Sequence, residues 1–278
     1  MIRIELEDTF GDILRKSTRG TKTSLETVEA KSGVSAADLD AFLKDAEQPT
    51  EAQAKAIAST LGLDPQKYAD SGLRRWYPDE PPMPSFLIHQ INAPHPSNGY
   101  FLLLRDRNIG AFVDPAGRPE PIIDEFRRAG VDLQYILLTH KHADHTDALA
   151  AVRKAFPQAT PVIHPIDGAT LGGAARGATA IVDGASLPFG DSEIRMLYTP
   201  GHTDGSSCFI YKGNVFTGDT MFAGSVGGLF GDRFGYQDLL RNVREKLLSL
   251  PETTMVHPGH GPSTTIAQER AHNPFFLS

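Results

Sequence analysis

Residues 139–146 read Thr139-His140-Lys141-His142-Ala143-Asp144-His145-Thr146, which places three of the chain's ten histidines and an aspartate within six positions. The apolar run Gln134-Tyr135-Ile136-Leu137-Leu138 before it has the character of a buried strand. The stretch from Asp147 to Lys154 after it has helical spacing, with Asp147 as the expected cap. The cluster therefore falls on a strand-to-helix loop. A first-row divalent metal takes imidazole nitrogens and carboxylate oxygens at about 2.0 to 2.2 Å. One ion cannot use all four groups. His140 and His142 alternate as strand residues do, whereas Asp144 and His145 are adjacent, so the four divide between two neighbouring metals, each needing partners from elsewhere.

Three distant segments offer those partners, each at the end of an expected strand. Thr199-Pro200-Gly201-His202-Thr203 follows EIRMLYT, Gly218-Asp219-Thr220 follows NVFT, and His257-Pro258-Gly259-His260-Gly261 follows the short run TMV. Glycines beside the candidates permit tight backbone turns around a crowded centre. From Ser85 onward strand and helix patterns are mixed: YFLLLRD, GAFVDP, the helix PEPIIDEFRRAG, QYILLT, PVIH, EIRMLYT, then SSCFIYK and NVFTGD as a hairpin turning at Gly213-Asn214. Residues 168–184 are loose enough for a surface excursion.

Residues 20–70 carry no strand pattern and break into short helical pieces, with Leu25, Val28, Val34, Leu39, Phe42, Leu43, Ile57 and Leu61 as the expected interior. Four prolines between Pro78 and Pro84 then stiffen the chain and mark a boundary. The expected division is a small helical domain over 1–78 and a catalytic α/β domain over 79–278.

At 278 residues, 40% hydrophobic and 22% charged, the composition is that of an ordinary globular protein with a sizeable core. A net charge of -7 gives no general attraction to nucleic acid or to anionic lipid. There is no apolar run long enough to span a bilayer and no basic-then-apolar leader at the N-terminus, so a cytoplasmic location is expected. Cys208 is the single cysteine and lies in an apolar strand, as a buried hydrophobe rather than a nucleophile. His89, His95, His164 and His272 read as hydrogen-bonded structural residues, and His257 as a neighbour of the site.

THKHADH, TPGHT, GDT and PGHG, in that order, resemble the motif set of the metallo-β-lactamase superfamily over about residues 85–278. The chain is most similar to the short glyoxalase II-like (hydroxyacylglutathione hydrolase-like) branch. The resemblance implies an αββα sandwich with metals at one edge, here preceded by a small all-α domain. It implies that His140, His142 and His202 hold one metal, that Asp144, His145 and His260 hold a second, and that Asp219 bridges them. The implied cofactors are two divalent ions, zinc first, with iron or manganese acceptable to the same donors. Asp144 is also the implied catalytic residue, orienting a metal-bound hydroxide for attack on a small thioester or ester substrate.

The sequence departs from the family pattern in three places. Asp147-Ala148 stands where Gly-Gly is common, the run after GDT lacks Arg-Thr-Asp-Phe, and no helical domain follows PGHG of the kind that helps larger glyoxalase II enzymes hold glutathione. The alternative within the superfamily is a persulfide dioxygenase, with mononuclear iron at His140, His202 and Asp219.

The N-terminal pieces resemble the helix-turn-helix of Cro and repressor proteins, with Gly33-Val34-Ser35 at the turn, which offers a metal-dependent regulator or scaffold as another alternative. Residues 20–70 hold five Lys or Arg against nine Asp or Glu, and Asp38 and Asp40 sit on the helix that would approach phosphates. DNA affinity needs cations there, so nucleic acid is not the expected partner. A homodimer contact or a cover over the active site is.

Overall fold

A computed structural model describes residues 4–79 and 82–277. Glu80 and Pro81, within the proline-rich boundary, lie outside the described residues, as do the first three residues of the N-terminal stretch. Five helices open the chain: α1 (Phe10–Thr21), α2 (Leu25–Ser32), α3 (Ala36–Leu43), α4 (Glu51–Leu61) and α5 (Pro65–Gly72). Each starts at a residue whose side chain accepts a backbone N–H: Thr9, Ser24, Ser35, Thr50 and Asp64. At α1 and α4 a reciprocal bond from Asp12 or Gln53 completes a capping box.

Two six-stranded sheets follow. The first runs β1 (Leu87–Ile91), β2 (Asn98–Leu104), β3 (Ile109–Val113), β4 (Asp132–Leu137), β5 (Thr160–Ile163) and β6 (Thr179–Ala180) in spatial order, with β3 to β6 parallel. The second contains β7 (Ser186–Phe189), β8 (Ser192–Tyr198), β9 (Ser207–Tyr211), β10 (Asn214–Gly218), β13 (Met255–Pro258) and β14 (Thr264–Thr265). A small hairpin, β11 (Met221–Phe222) and β12 (Ser225–Val226), stands apart. The remaining helices are α6 (Pro119–Ala129), α7 (Ala143–Thr146), α8 (Leu149–Ala155), α9 (Pro165–Gly168), α10 (Tyr236–Asn242) and α11 (Ile266–His272).

Alternation along the strands makes the layers. Tyr100, Leu102 and Val113 of the first sheet meet Phe189, Met196 and Phe209 of the second in a shared core. The opposite faces Phe101, Leu103, Phe112 and Ile136 pack under α6 and α8. On the far side Val215 and Val256 of the second sheet pack with α10, α11 and the N-terminal helices in one continuous cluster, which includes Phe10, Ile13, Leu14, Leu39 and Tyr68. The order is helices, sheet, sheet, helices. The N-terminal bundle joins the outer layer through this shared cluster. Pattern reading of residues 20–70 leaves out α1, which supplies much of this joint.

Two local expectations are corrected. The β9–β10 turn is Lys212-Gly213, with φ of 44° and 75°, and Asn214 already pairs with Tyr211 as the first residue of β10. Two positive-φ residues make this the tight turn that suits a twisted hairpin. Asp147 does not cap the following helix: its carboxylate accepts from Gly117 N–H at 2.7 Å and faces His95 Nε2 at 2.8 Å. The helical turn α7 begins earlier, at Ala143, and α8 has no side-chain cap.

The joint between layers contains an ionisable group. Glu269 of α11 is fully buried and accepts from Gly224 N–H at 3.1 Å, the Thr264 hydroxyl at 3.0 Å and the Asn273 amide at 2.9 Å. Burial pushes its carboxyl up to about 7 from 4.5, against the opposing effect of those donors. The folded state therefore favours the protonated form. Its stabilisation is complete below the unfolded-state value of 4.5 and is lost as pH rises through about 7. Relative to Glu269→Gln, the stability of the wild type is expected to fall by roughly 3 kcal/mol between pH 4.5 and 8. Urea unfolding of both proteins across that range measures it; parallel profiles would contradict the assignment.

Candidate metal centre

The strand ends deliver the candidate side chains to one rim of the sandwich. His140 follows β4 of the first sheet, while His202, Asp219 and His260 follow β8, β10 and β13 of the second. Backbone bonds clamp the two sheets together there: Ser207 N–H donates to Thr139 O at 2.9 Å and Asn98 N–H to Gly259 O at 2.7 Å. The Asn98 amide and the Tyr100 hydroxyl add bonds to Pro258 O at 3.0 and 2.8 Å. Gly259 and Gly218 are required by closeness. A Cβ on Gly259 would collide with Asp219 Oδ1, and one on Gly218, at φ 47°, would collide with the Thr139 hydroxyl.

All seven predicted residues converge. His142 Nδ1 lies 3.1 Å from His140 Nε2 and 3.0 Å from His202 Nε2. In the second group, His260 Nε2 lies 3.3 Å from both His145 Nε2 and Asp144 Oδ2. Asp219 stands between them. Its Oδ2 is 3.4 Å from His202 Nε2, and its Oδ1 is 3.3 Å from His145 Nε2 and 3.7 Å from His260 Nε2. Two ligands at 2.0 to 2.1 Å from a tetrahedral ion are about 3.4 Å apart. The spacing within each group thus fits a shared cation, and each oxygen of Asp219 belongs to one group.

Hydrogen bonds on the far side of the rings fix which nitrogen faces inward. His202 Nδ1–H donates to Gly228 O at 2.8 Å, and His145 Nδ1–H to Asp114 Oδ2 at 3.0 Å. Asp114 also accepts from Thr139 N–H and the Thr139 hydroxyl, at 2.8 and 2.7 Å, and that hydroxyl oxygen is 3.1 Å from His140 Nδ1. One carboxylate thus orients two imidazoles. Such backing is typical of metal-binding histidine.

Within the centre, two buried atoms have no hydrogen-bond partner among the described residues, Asp219 Oδ1 and His260 Nδ1. The first is the oxygen turned toward the second group, as a carboxylate built for a cation would be. The second lies 3.8 Å from Glu7 Oε2. Burial pushes His140 well below the usual imidazole range and His202 down to about 4, which keeps both neutral and able to bind metal. Burial would raise Asp219, but His145 beside it outweighs that effect and holds the carboxylate ionised. For Asp144, the bond with His260 has the same effect.

The other histidines are elsewhere. His257 bonds Ser263 and Asn214, each at 3.0 Å, and turns away from the centre. His89 meets Asn98, His164 stacks on Tyr198, and His272 stacks on Trp76. Cys208 is buried, with its thiol pushed up to about 11 by burial. Sequence reading missed Asp114 and Glu7. Asp114 had one visible signal, an aspartate ending the strand GAFVDP beside the strand that leads into the cluster.

The sequence model of the metallo-beta-lactamase superfamily matches residues 92–260. The chain belongs to that superfamily. Among curated relatives, it is 35% identical over 203 residues to the probable metallo-hydrolase YqgX of Bacillus subtilis, covering 66% of this chain and 93% of the relative. It is 31% identical over 194 residues to hydroxyacylglutathione hydrolase GloC of Haemophilus influenzae, covering 64% and 92%. Among solved structures, the BLEG-1 B3 metallo-beta-lactamase superposes with a TM-score of 0.60 at 32% identity, over 69% of this chain and 100% of that one. The superfamily match begins after the N-terminal helices. Among the described residues, no helix is long and apolar enough to cross a membrane.

Asp114→Asn removes a charge from behind His145 while keeping the shape. Affinity for metal at the group of Asp144, His145 and His260 is expected to fall about 10- to 100-fold, read by competition with a chromophoric chelator. Unchanged affinity would mean that Asp114 serves only to tie Thr139 in place.

Proposed function

We propose that the protein is a dinuclear metallohydrolase that cleaves a small thioester or ester, in the manner of glyoxalase II. The observation that carries the reading is the second group, Asp144, His145 and His260, facing its own oxygen of Asp219. A mononuclear dioxygenase has use for His140, His202 and Asp219 alone and leaves that group without a task. His140, His142 and His202 would hold one ion, Asp144, His145 and His260 the other, and Asp219 both. Such ions, zinc before iron or manganese, supply Lewis acidity that polarises a carbonyl and makes water nucleophilic near neutral pH.

The chain's own part is positioning and proton transfer. A cavity of about 330 Å³ opens beside His202, Asp219 and His260, a size suited to a small ligand. Phe222, Leu229 and Phe230 give it apolar walls for an acyl or thiol chain. Phe230 is edge-on to His142 and His202, with ring centres 5.3 Å away from each. Asp144, half-exposed and ionised, orients the attacking water and accepts its proton. The carbon–oxygen bond forms, the carbon–sulfur bond breaks as the proton passes from Asp144 to the leaving sulfur, and acid and thiol leave in equal amounts. A DNA-reading role for the helical unit gains no support from α3, where Asp38 binds Gln53 and the exposed Asp40 pairs with Lys44.

Metal-loaded protein is expected to release one thiol per acid from a thioester, within a panel that also holds esters, lactones, phosphodiesters and β-lactams. An oxygen electrode is expected to show no uptake with persulfide. Asp144→Asn is expected to lower kcat about a hundredfold or more. Oxygen consumption, or an inert panel, would overturn the reading.

A further inference from the structure

The cavity beside the metal centre has a wall that the superfamily match does not include. Glu7, Asp12, Arg15, Lys16 and Arg19, all N-terminal to residue 92, line it together with Phe222 and Phe230. The sequence of α1 explains the geometry. Phe10, Ile13, Leu14 and Ser17 are buried on one face, and Asp12, Arg15, Lys16 and Arg19 fall on the other at helical spacing. The contact is fixed at several points. Lys16 Nζ donates to Val226 O at 2.8 Å and lies 5.0 Å from the Phe222 ring centre, and that ring is edge-on to His260. Asp8 accepts from Lys16 and from the Ser225 hydroxyl. Next to Arg19, Gly20 lies so close to the Tyr236 ring that any side chain there would collide with it.

Pairing off the charges leaves a residue. Lys16 is matched by Asp8 at 2.6 Å, and Arg15 by Asp12 at 2.6 Å, with its other nitrogen on Leu43 O. Glu7 faces His260. Arg19 makes no side-chain hydrogen bond or ion pair among the described residues and is exposed to the cavity at the Tyr236 end. It lies two turns from Asp12, about 10 Å along the helix axis. A guanidinium in that position, at the mouth of a pocket with apolar walls, is a receptor for a carboxylate or phosphate.

We propose that α1 is the specificity element of the active site and that Arg19 binds an anionic group on the substrate, remote from the bond that is cleaved. This rests on the hydrolase reading and narrows its substrates to thioesters or esters with a carboxylate or phosphate at the far end of an apolar chain. The helical unit then selects substrate as well as covering the site.

The test uses the metal-loaded full chain and S-acetyl ω-mercapto acids with two to six methylenes, each paired with its primary amide. Methyl ketones with a methylene in place of sulfur give unreactive partners for calorimetry. At the best chain length, the carboxylate is expected to beat the amide at least tenfold in KM and, for the ketones, in Kd. Arg19→Ala is expected to bring both ratios below threefold, and Arg19→Lys to restore part of them. Arg127→Ala, on the distant helix α6, is expected to leave them unchanged. A ratio near one in the wild type at every length, or one that survives Arg19→Ala because the metals take the carboxylate, would overturn the proposal. Absence of thioester turnover with an Arg19-dependent ketone ratio would overturn hydrolysis and leave the anion subsite standing.

Discussion

Asp219 is a buried carboxylate with one oxygen turned toward each of two histidine groups. Taking such a charge out of water costs several kcal/mol unless a cation or a full set of hydrogen bonds offsets it. Its Oδ1 has no hydrogen bond, and the nearest imidazoles are held by Thr139, Asp114 and Gly228 with ring nitrogens facing inward. The remaining architecture follows from that demand. Two sheets end at one rim, glycines admit the close approach of their loops, and backbone bonds across the rim keep the donors in register.

The N-terminal helices meet the same centre from the other side. They share a core with α10 and α11, and the segment before α1 runs along the PGHG loop, where a Cβ on Gly261 would lie 3.1 Å from Glu7 N. The boundary proposed between residues 78 and 79 separates two kinds of sequence texture. Apolar packing is continuous across it. A carboxylate near His260 and an uncommitted arginine at the mouth of the cavity are what this joint adds to the site.

Much of the centre was legible because its donors come in short motifs at strand ends. Histidine and aspartate packed at that density have few uses other than metal, and His202, Asp219 and His260 each sit in a glycine-marked turn. The sandwich was readable through strand alternation and through family resemblance. What escaped reading was long-range. Asp114 orients His145 from a neighbouring strand, and nothing local to GAFVDP says where its carboxylate points. Asp147 looked like a helix cap, but it is drawn to Gly117 and His95, which are distant in sequence. The hairpin turn slipped by one residue because Lys212 takes a positive φ that glycine or asparagine more often supplies. The wall formed by α1 was invisible for the same reason as Asp114: amphipathic spacing shows which face is buried and not what lies against it.

The central claim is that Asp219 joins two cation sites. A crystal structure with metals located by anomalous scattering tests it most directly. The account predicts two peaks per chain, one among His140, His142 and His202 and one among Asp144, His145 and His260, each in contact with a different oxygen of Asp219. A single peak at His140, His202 and Asp219, with the second group still unoccupied under metal excess, would contradict it.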